Sequence, residues 1–112
     1  MRRLVAALTA AALTFAPLPA IAQSFPGLIS GVDVAGHQRP GGRAIDWKQV
    51  SGPGMQQFAF VKATEGSDWK NTFYDEDARA AADAGMRVGA YHYARPAGDA
   101  LAQARYFASV IN

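Results

Sequence analysis

The stretch that decides the fold is residues 58–66, which read FAFVKATEG. Its β-branched and aromatic residues, closed by a glycine, are typical of a buried strand. Two similar stretches flank it, residues 29–34 (ISGVDV) and residues 88–93 (VGAYHY). Each ends in reactive or aromatic side chains, so the three predict a parallel α/β sheet with its chemistry at the C-terminal ends of the strands.

Helices are predicted between and after these strands. Asp46 is expected to cap a short helix. Thr72 is expected to cap a second helix, which ends at Gly85. Asp99 is expected to cap a third helix near the end of the chain. The resulting order, β-α-β-α-β-α, favours a parallel sheet with right-handed crossovers.

The first 22 residues are interpreted as a secretory signal peptide. Arg2 and Arg3 precede an uncharged run, and small residues at Ala20 and Ala22 suit a signal peptidase. The run is too short for a membrane anchor, which needs roughly 20 apolar residues. We therefore expect an exported chain, residues 23–112, that has no membrane segment after cleavage.

Composition excludes several classes of function. Without the two signal arginines, 9 of the 11 basic residues remain against 9 acidic residues, so the exported part is formally neutral and no nucleic-acid partner is expected. There is no cysteine, and two isolated histidines lack the spacing of a zinc site. Phosphate-binding glycine loops are also absent, and we expect no metal and no cofactor.

Two acidic residues are candidates for chemistry. Asp33 lies inside an apolar strand, where burial costs several kcal/mol unless the carboxylate is paired or used, and a role in accepting backbone hydrogen bonds is equally possible. Glu65 ends the second strand, and a period of two places it with Ala59, Val61 and Ala63 on a face suited to a barrel interior. A salt bridge in a loop is the alternative for Glu65.

Aromatic and basic side chains near the strand ends are weaker candidates. Tyr91, Tyr93 and Trp69 could stack on a sugar ring, although aromatic residues near strand ends are also ordinary core residues. His92 alternates with Tyr91, and a lone histidine at a strand end is more often structural than catalytic. We expect Lys62 to form a structural ion pair and His37 to face water.

The acidic run Asp75, Glu76 and Asp77 is interpreted as the first turn of a helix. Negative charge there complements the helix dipole, so these side chains are expected on a solvated surface rather than in a site.

Five blocks of sequence together resemble glycoside hydrolase family 25. They are, in order, residues 31–34 (GVDV), 45–47 (IDW), 58–66 (FAFVKATEG), 84–96 (AGMRVGAYHYARP) and 103–107 (QARYF). The resemblance implies a TIM-like (β/α) barrel of which the chain contains the first three β-α units, in residues 23–112. It also implies a lysozyme that cleaves the β-1,4 bond between N-acetylmuramic acid and N-acetylglucosamine in peptidoglycan.

The resemblance implies roles for individual residues. Asp33 matches the active-site aspartate of the first strand, and Glu65, Tyr91 and His92 match positions that line the sugar groove; Trp69 is added as a stacking residue. The loop after Asp33 lacks the tryptophan that the family often has there. The family's general acid lies in an Asp-x-Glu motif of a fourth strand, which we expect beyond residue 112.

The chain is therefore expected to be a truncated or partial sequence that is inactive alone. The alternative is a non-catalytic module that binds peptidoglycan, and an unrelated α/β binding domain ranks last. Apolar surface and unpaired strand edges should make residues 23–112 marginally stable or prone to aggregation. The sequence does not indicate an oligomeric state.

Overall fold

The computed structural model describes residues 27–112, and these form one open α/β sheet covered by helices on one face. The strands are β1 (Gly31–Val34), β2 (Phe58–Glu65), β3 (Trp69–Lys70) and β4 (Arg87–Tyr93). The helices are α1 (Trp47–Val50), α2 (Tyr74–Asp83) and α3 (Ala100–Ile111). Two 3-10 turns, Gly36–Gln38 and Pro40–Gly42, fill the loop after β1.

The sheet has β2 at its centre. β1 pairs with β2 in parallel and so does β4, which confirms the predicted parallel strands. β3 is antiparallel to β2 and was not predicted. Since Thr64 and Glu65 pair with both β3 and β4, β3 extends the β1 side of the sheet. The described sheet does not close, so the predicted barrel is not confirmed.

One face of the sheet packs on the helices, and we call it the helix face. Its core consists of six buried residues, Val34, Trp47, Ala59, Val61, Ala81 and Met86. The expectation that Ala59 and Val61 face a barrel interior is therefore wrong. Small side chains suit these positions because α1 and α2 pack directly upon them.

The other face, which we call the open face, has no helix over it in residues 27–112. Strand register places on it Asp33, Phe58, Phe60, Lys62 and Tyr91. The rings of Phe58 and Phe60 lie over Gly31 and Gly89, where a Cβ atom would collide with them. Phe60 is 48% exposed, so this face offers apolar surface.

The predicted helix ends are mostly confirmed. The Asp46 carboxylate accepts a hydrogen bond from the Gln49 amide, and the Asp99 carboxylate accepts from two amides of α3. Gly85 ends α2 with φ of +84°, a conformation that glycine adopts readily. Thr72 does not cap α2, because the helix begins one residue later than predicted. Its N-cap is Phe73, whose side chain forms no capping hydrogen bond.

The expectation that the acidic run of α2 is entirely solvated is wrong for Asp77. Its side chain is buried and accepts hydrogen bonds from Arg39 and from the indole of Trp47. Arg39 comes from the loop after β1 and also pairs with Glu76, which is exposed. The guanidinium group lies 4.2 Å from the centroid of the Phe73 ring. Through Arg39, the β1 loop is fastened to α2.

Candidate active site

A β-bulge in β2 determines which side chains reach the open face. Lys62 pairs with Tyr91, and Thr64 pairs with the next residue of β4, His92. Ala63 is therefore the extra residue, and the alternation of side chains shifts by one position after it. Glu65 consequently shares the open face with Lys62 rather than the helix face with Val61, which corrects the placement expected from a period of two.

Glu65 is held by two basic residues. Its Oε2 atom lies 2.5 Å from Lys62 Nζ, and its Oε1 atom lies 3.2 Å from Arg95. The hydrogen bond from Lys62, and then that from Arg95, lower the pKa of Glu65 below its usual value, although partial burial opposes them. The expected ion pair of Lys62 is confirmed, and Glu65 is ionised at neutral pH.

Asp33 and Tyr91 lie on opposite sides of the middle of β2, and the charge of Asp33 acts on the Tyr91 phenol. Burial raises the pKa of the Tyr91 phenol, and the negative charge of Asp33 raises it further. The Asp33 side chain is exposed, so the premise that it is buried is wrong. An exposed carboxylate beside a protonated phenol can contact a neutral, hydroxyl-rich ligand.

Two aromatic rings extend the open face beyond Lys62. Trp69 of β3 and Tyr93 of β4 each pair with Glu65, one on either side. Lys62 Nζ lies 4.8 Å from the centroid of the Trp69 ring and 4.7 Å from that of Tyr93. Both rings remain largely exposed, at 41% for Trp69 and 57% for Tyr93.

His92 lies on the helix face, away from this group. Its Nδ1 atom is 2.8 Å from Thr64 Oγ1, and its Nε2 atom is 3.2 Å from Gln103 Oε1. The imidazole also packs beside Phe107 of α3. Both ring nitrogens are thus engaged within the fold, which fits the structural role that the sequence favoured.

The structure brings four of the five predicted site residues to one face, namely Asp33, Glu65, Trp69 and Tyr91. His37 is exposed in the β1 loop, as expected. Within residues 27–112 no cluster of acidic residues and histidines could hold a metal ion. The site therefore consists of one exposed carboxylate, one ion-paired carboxylate and several aromatic rings.

Comparison with known proteins identifies the family. A sequence model of the glycosyl hydrolases family 25 matches residues 32–112. The chain belongs to this family. The family assignment agrees with the resemblance of the five sequence blocks, and it confirms the mixed α/β fold.

Individual family members support the assignment. The chain is 43% identical over 82 residues to lysozyme M1 of Streptomyces globisporus, covering 72% of this chain and 26% of that protein. It matches the structure of a family 25 glycosyl hydrolase from Bacillus anthracis with a TM-score of 0.67 and 35% identity, covering 76% of this chain and 37% of that one. A lysozyme structure from Streptomyces coelicolor matches with a TM-score of 0.64 and 41% identity, covering 72% and 36%.

The chain thus spans between about a quarter and two fifths of the length of these relatives. The matched part includes β1, β2 and β4 and the side chains at their ends. It corresponds to one portion of a family 25 domain.

Sequence reasoning missed two features of the site. Arg95 was not considered as a partner of Glu65. The grouping of Lys62, Trp69 and Tyr93 depends on the bulge and on β3, neither of which periodicity reveals. The available signal for this group was the lysine three residues before a glutamate in an apolar strand, which indicates a paired charge at the sheet.

Proposed function

We propose that this chain is the N-terminal portion of a lysozyme-type glycoside hydrolase that cleaves the β-1,4 bond between N-acetylmuramic acid and N-acetylglucosamine in peptidoglycan. Family membership supports the reaction class, and two of the similar proteins are lysozymes by name. The observation that carries the proposal is the position of Asp33, exposed at the end of β1 on the same face as Glu65 and Tyr91.

Asp33 is proposed as the catalytic carboxylate of this portion. It forms no ion pair within the described residues, so its negative charge is available to a substrate. Cleavage of a glycosidic bond develops positive charge at the anomeric carbon, and a carboxylate nearby stabilises that charge. Asp33 would act there, or would orient the acetamido group of the substrate.

Glu65 is proposed as a binding residue rather than as the general acid. A general acid must carry a proton at the working pH, which requires a raised pKa. The ion pairs with Lys62 and Arg95 lower the pKa of Glu65 instead. The proton donor is therefore expected from a further strand of the whole domain, beyond residue 112.

The aromatic side chains supply contact area for a sugar. Trp69 begins β3, while Tyr91 and Tyr93 lie near the C-terminal end of β4. Trp69 and Tyr93 flank Glu65 at the C-terminal end of β2. The apolar C–H faces of a pyranose pack well on such rings. The contact of His92 with the sugar stays a prediction. Its hydrogen bonds to Thr64 and Gln103 favour a structural role, in which it connects β4 to β2 and α3 on the helix face.

In the whole domain we expect the open sheet to be completed to a TIM-like barrel. The apolar part of the open face around Phe58 and Phe60 would then form part of the barrel interior. Export is proposed from the signal segment, residues 1–22, which lies outside the described residues. Within the described residues, no helix is long and apolar enough to cross a membrane.

The second candidate is a module that binds peptidoglycan without cleaving it. It is favoured because Asp33 is the one carboxylate on the open face of residues 27–112 that forms no ion pair, whereas glycosidic cleavage uses two carboxyl groups. A chimera tests the two, with residues 32–112 replacing the aligned segment of the Streptomyces globisporus lysozyme. Release of reducing ends from purified peptidoglycan supports the hydrolase, whereas a folded chimera that binds peptidoglycan without release favours the binding module.

A further inference from the structure

The Lys62 ammonium group lies at the junction of three strands. It belongs to β2, and it contacts the carboxylate of Glu65 and the faces of Trp69 from β3 and Tyr93 from β4. The lysine residue is 7% exposed, whereas both rings have large exposed areas. One buried cation thus lies behind two rings whose outer surfaces remain accessible.

Elementary electrostatics explains this arrangement. A buried ammonium group is costly unless it is paired, and Glu65 supplies the opposite charge. The face of an aromatic ring carries negative potential and attracts a cation, more strongly where water is excluded. Lys62 therefore favours one orientation of Trp69 and Tyr93, with a face of each ring towards its ammonium group.

The other basic residues nearby do not share this position. Arg95 is half exposed and reaches Glu65 and Asp68 from the rim of the site. Lys70 is exposed and pairs with Asp75 of α2, on the opposite side of β3 from Trp69. Lys70 is therefore a matched control, since it is a lysine of the same region with an ion pair but without aromatic contacts.

We propose that Lys62 is a positioning residue of the sugar groove, which acts as an internal cation and holds Trp69, Tyr93 and Glu65 in the arrangement that receives a pyranose ring. The inference rests on the proposed function, because the sugar is the ligand for which the rings are arranged. The ammonium group is buried against the two rings and Glu65, so we do not expect it to contact the sugar itself. Its effect on binding is exerted through them.

The test uses the chain labelled with 5-fluorotryptophan and observed by ¹⁹F NMR. The chain has two tryptophans, so two resonances are expected, and a Trp69→Phe variant assigns them. Lys62→Met should shift the Trp69 resonance and increase its solvent isotope shift, while the buried Trp47 resonance stays in place and reports an intact fold. Lys62→Arg, which keeps a cation, and Lys70→Met should leave the Trp69 resonance near its original position.

Chemical rescue separates positioning from a general structural role. Lys62→Ala vacates a slot lined by two rings and a carboxylate, which methylammonium fits by charge and size. Added methylammonium should return the Trp69 resonance of this variant towards that of the parent. It should have no effect on the parent or on Lys70→Met.

Binding of a soluble peptidoglycan tetrasaccharide, measured by calorimetry in the Asp33→Asn form of the chimera with the Streptomyces globisporus lysozyme, connects the geometry to function. Loss of both cation–π contacts should weaken affinity at least about fivefold in Lys62→Met. Affinity should be unchanged in Lys70→Met, and methylammonium should restore it in Lys62→Ala. An unmoved Trp69 resonance in Lys62→Met, or the absence of any rescue by methylammonium, would overturn the proposal. A chimera that binds no glycan, although the chain shows both ¹⁹F effects, would count against the proposed function alone.

Discussion

Arg39 and Asp77 form an ion pair that is buried on both sides, with side-chain exposures of 3% and 2%. The pair joins the loop after β1 to α2, and the same guanidinium group donates to the exposed Glu76. Burial raises the pKa of Asp77, while the hydrogen bond from Trp47 and the charge of Arg39 oppose that rise. The loop that follows Asp33 is thus tied to the helix layer through a buried charge.

Arg39→Met should lower the free energy of unfolding by about 3 kcal/mol or more, because it leaves the Asp77 carboxylate buried without its cation. Urea unfolding followed by circular dichroism measures this. Glu76→Gln is the control, since the exposed partner of the same arginine should contribute much less to stability than the buried one. If both variants lost the same free energy of unfolding, the greater contribution assigned to the buried Arg39–Asp77 pair would be contradicted.

Thr64→Val should destabilise the chain by about 1 kcal/mol, because it removes the hydroxyl group that bonds His92 Nδ1 and leaves a half-buried ring nitrogen unpaired. The same urea experiment measures the change. His37→Ala, at an exposed loop position, should leave stability unchanged. If the effect of Thr64→Val disappears in a His92→Phe background, the loss belongs to this hydrogen bond, and an undiminished effect there would assign it elsewhere.

Glu65 should make stability depend on pH in the acidic range. Its pKa is lowered in the folded chain, so its stabilising effect is fully present above the unfolded value near 4.5 and is lost as the pH falls through the folded value. In Glu65→Gln this part of the acid-induced decline should be absent. Urea midpoints measured from pH 7 down to pH 3 test this, and parallel curves for parent and variant would contradict it.

The fold was predictable where local sequence determines it. Asp46 and Asp99 cap helices through their own carboxylates, and Gly85 ends a helix at a positive φ, so each signal lies within a few residues of its effect. The parallel strands were equally readable, since their apolar runs are short and separated by helical segments. These features require no knowledge of distant contacts.

The site was less predictable because it depends on long-range pairing. The bulge at Ala63 moves Glu65 to the open face, and a period of two cannot reveal an extra residue that only the register with β4 defines. Asp77 resembles its solvated neighbours in sequence and differs from them by its burial against Arg39 and Trp47, which lie 38 and 30 positions away. Among the predicted site residues, His92 alone lies on the helix face.

The apolar surface of the open face should promote self-association of the chain. Phe60 is 48% exposed at the middle of the sheet, beside Phe58. Phe60→Thr should reduce concentration-dependent light scattering and the binding of a hydrophobic dye. Leu101→Thr, which removes an exposed apolar residue on α3, is the control and should have a smaller effect, whereas a monomeric parent with no dye binding would contradict the prediction.

The central claim is that Asp33 is a catalytic carboxylate of a lysozyme-type site. The most direct test is the rate at which the chimera with the Streptomyces globisporus lysozyme releases reducing ends from purified peptidoglycan, measured with Asp33 and with Asp33→Asn. We expect the substitution to lower the rate at least about 100-fold, as loss of an electrostatic catalytic group does, with the circular dichroism spectrum and the affinity for peptidoglycan retained. Unchanged turnover in Asp33→Asn would contradict the account.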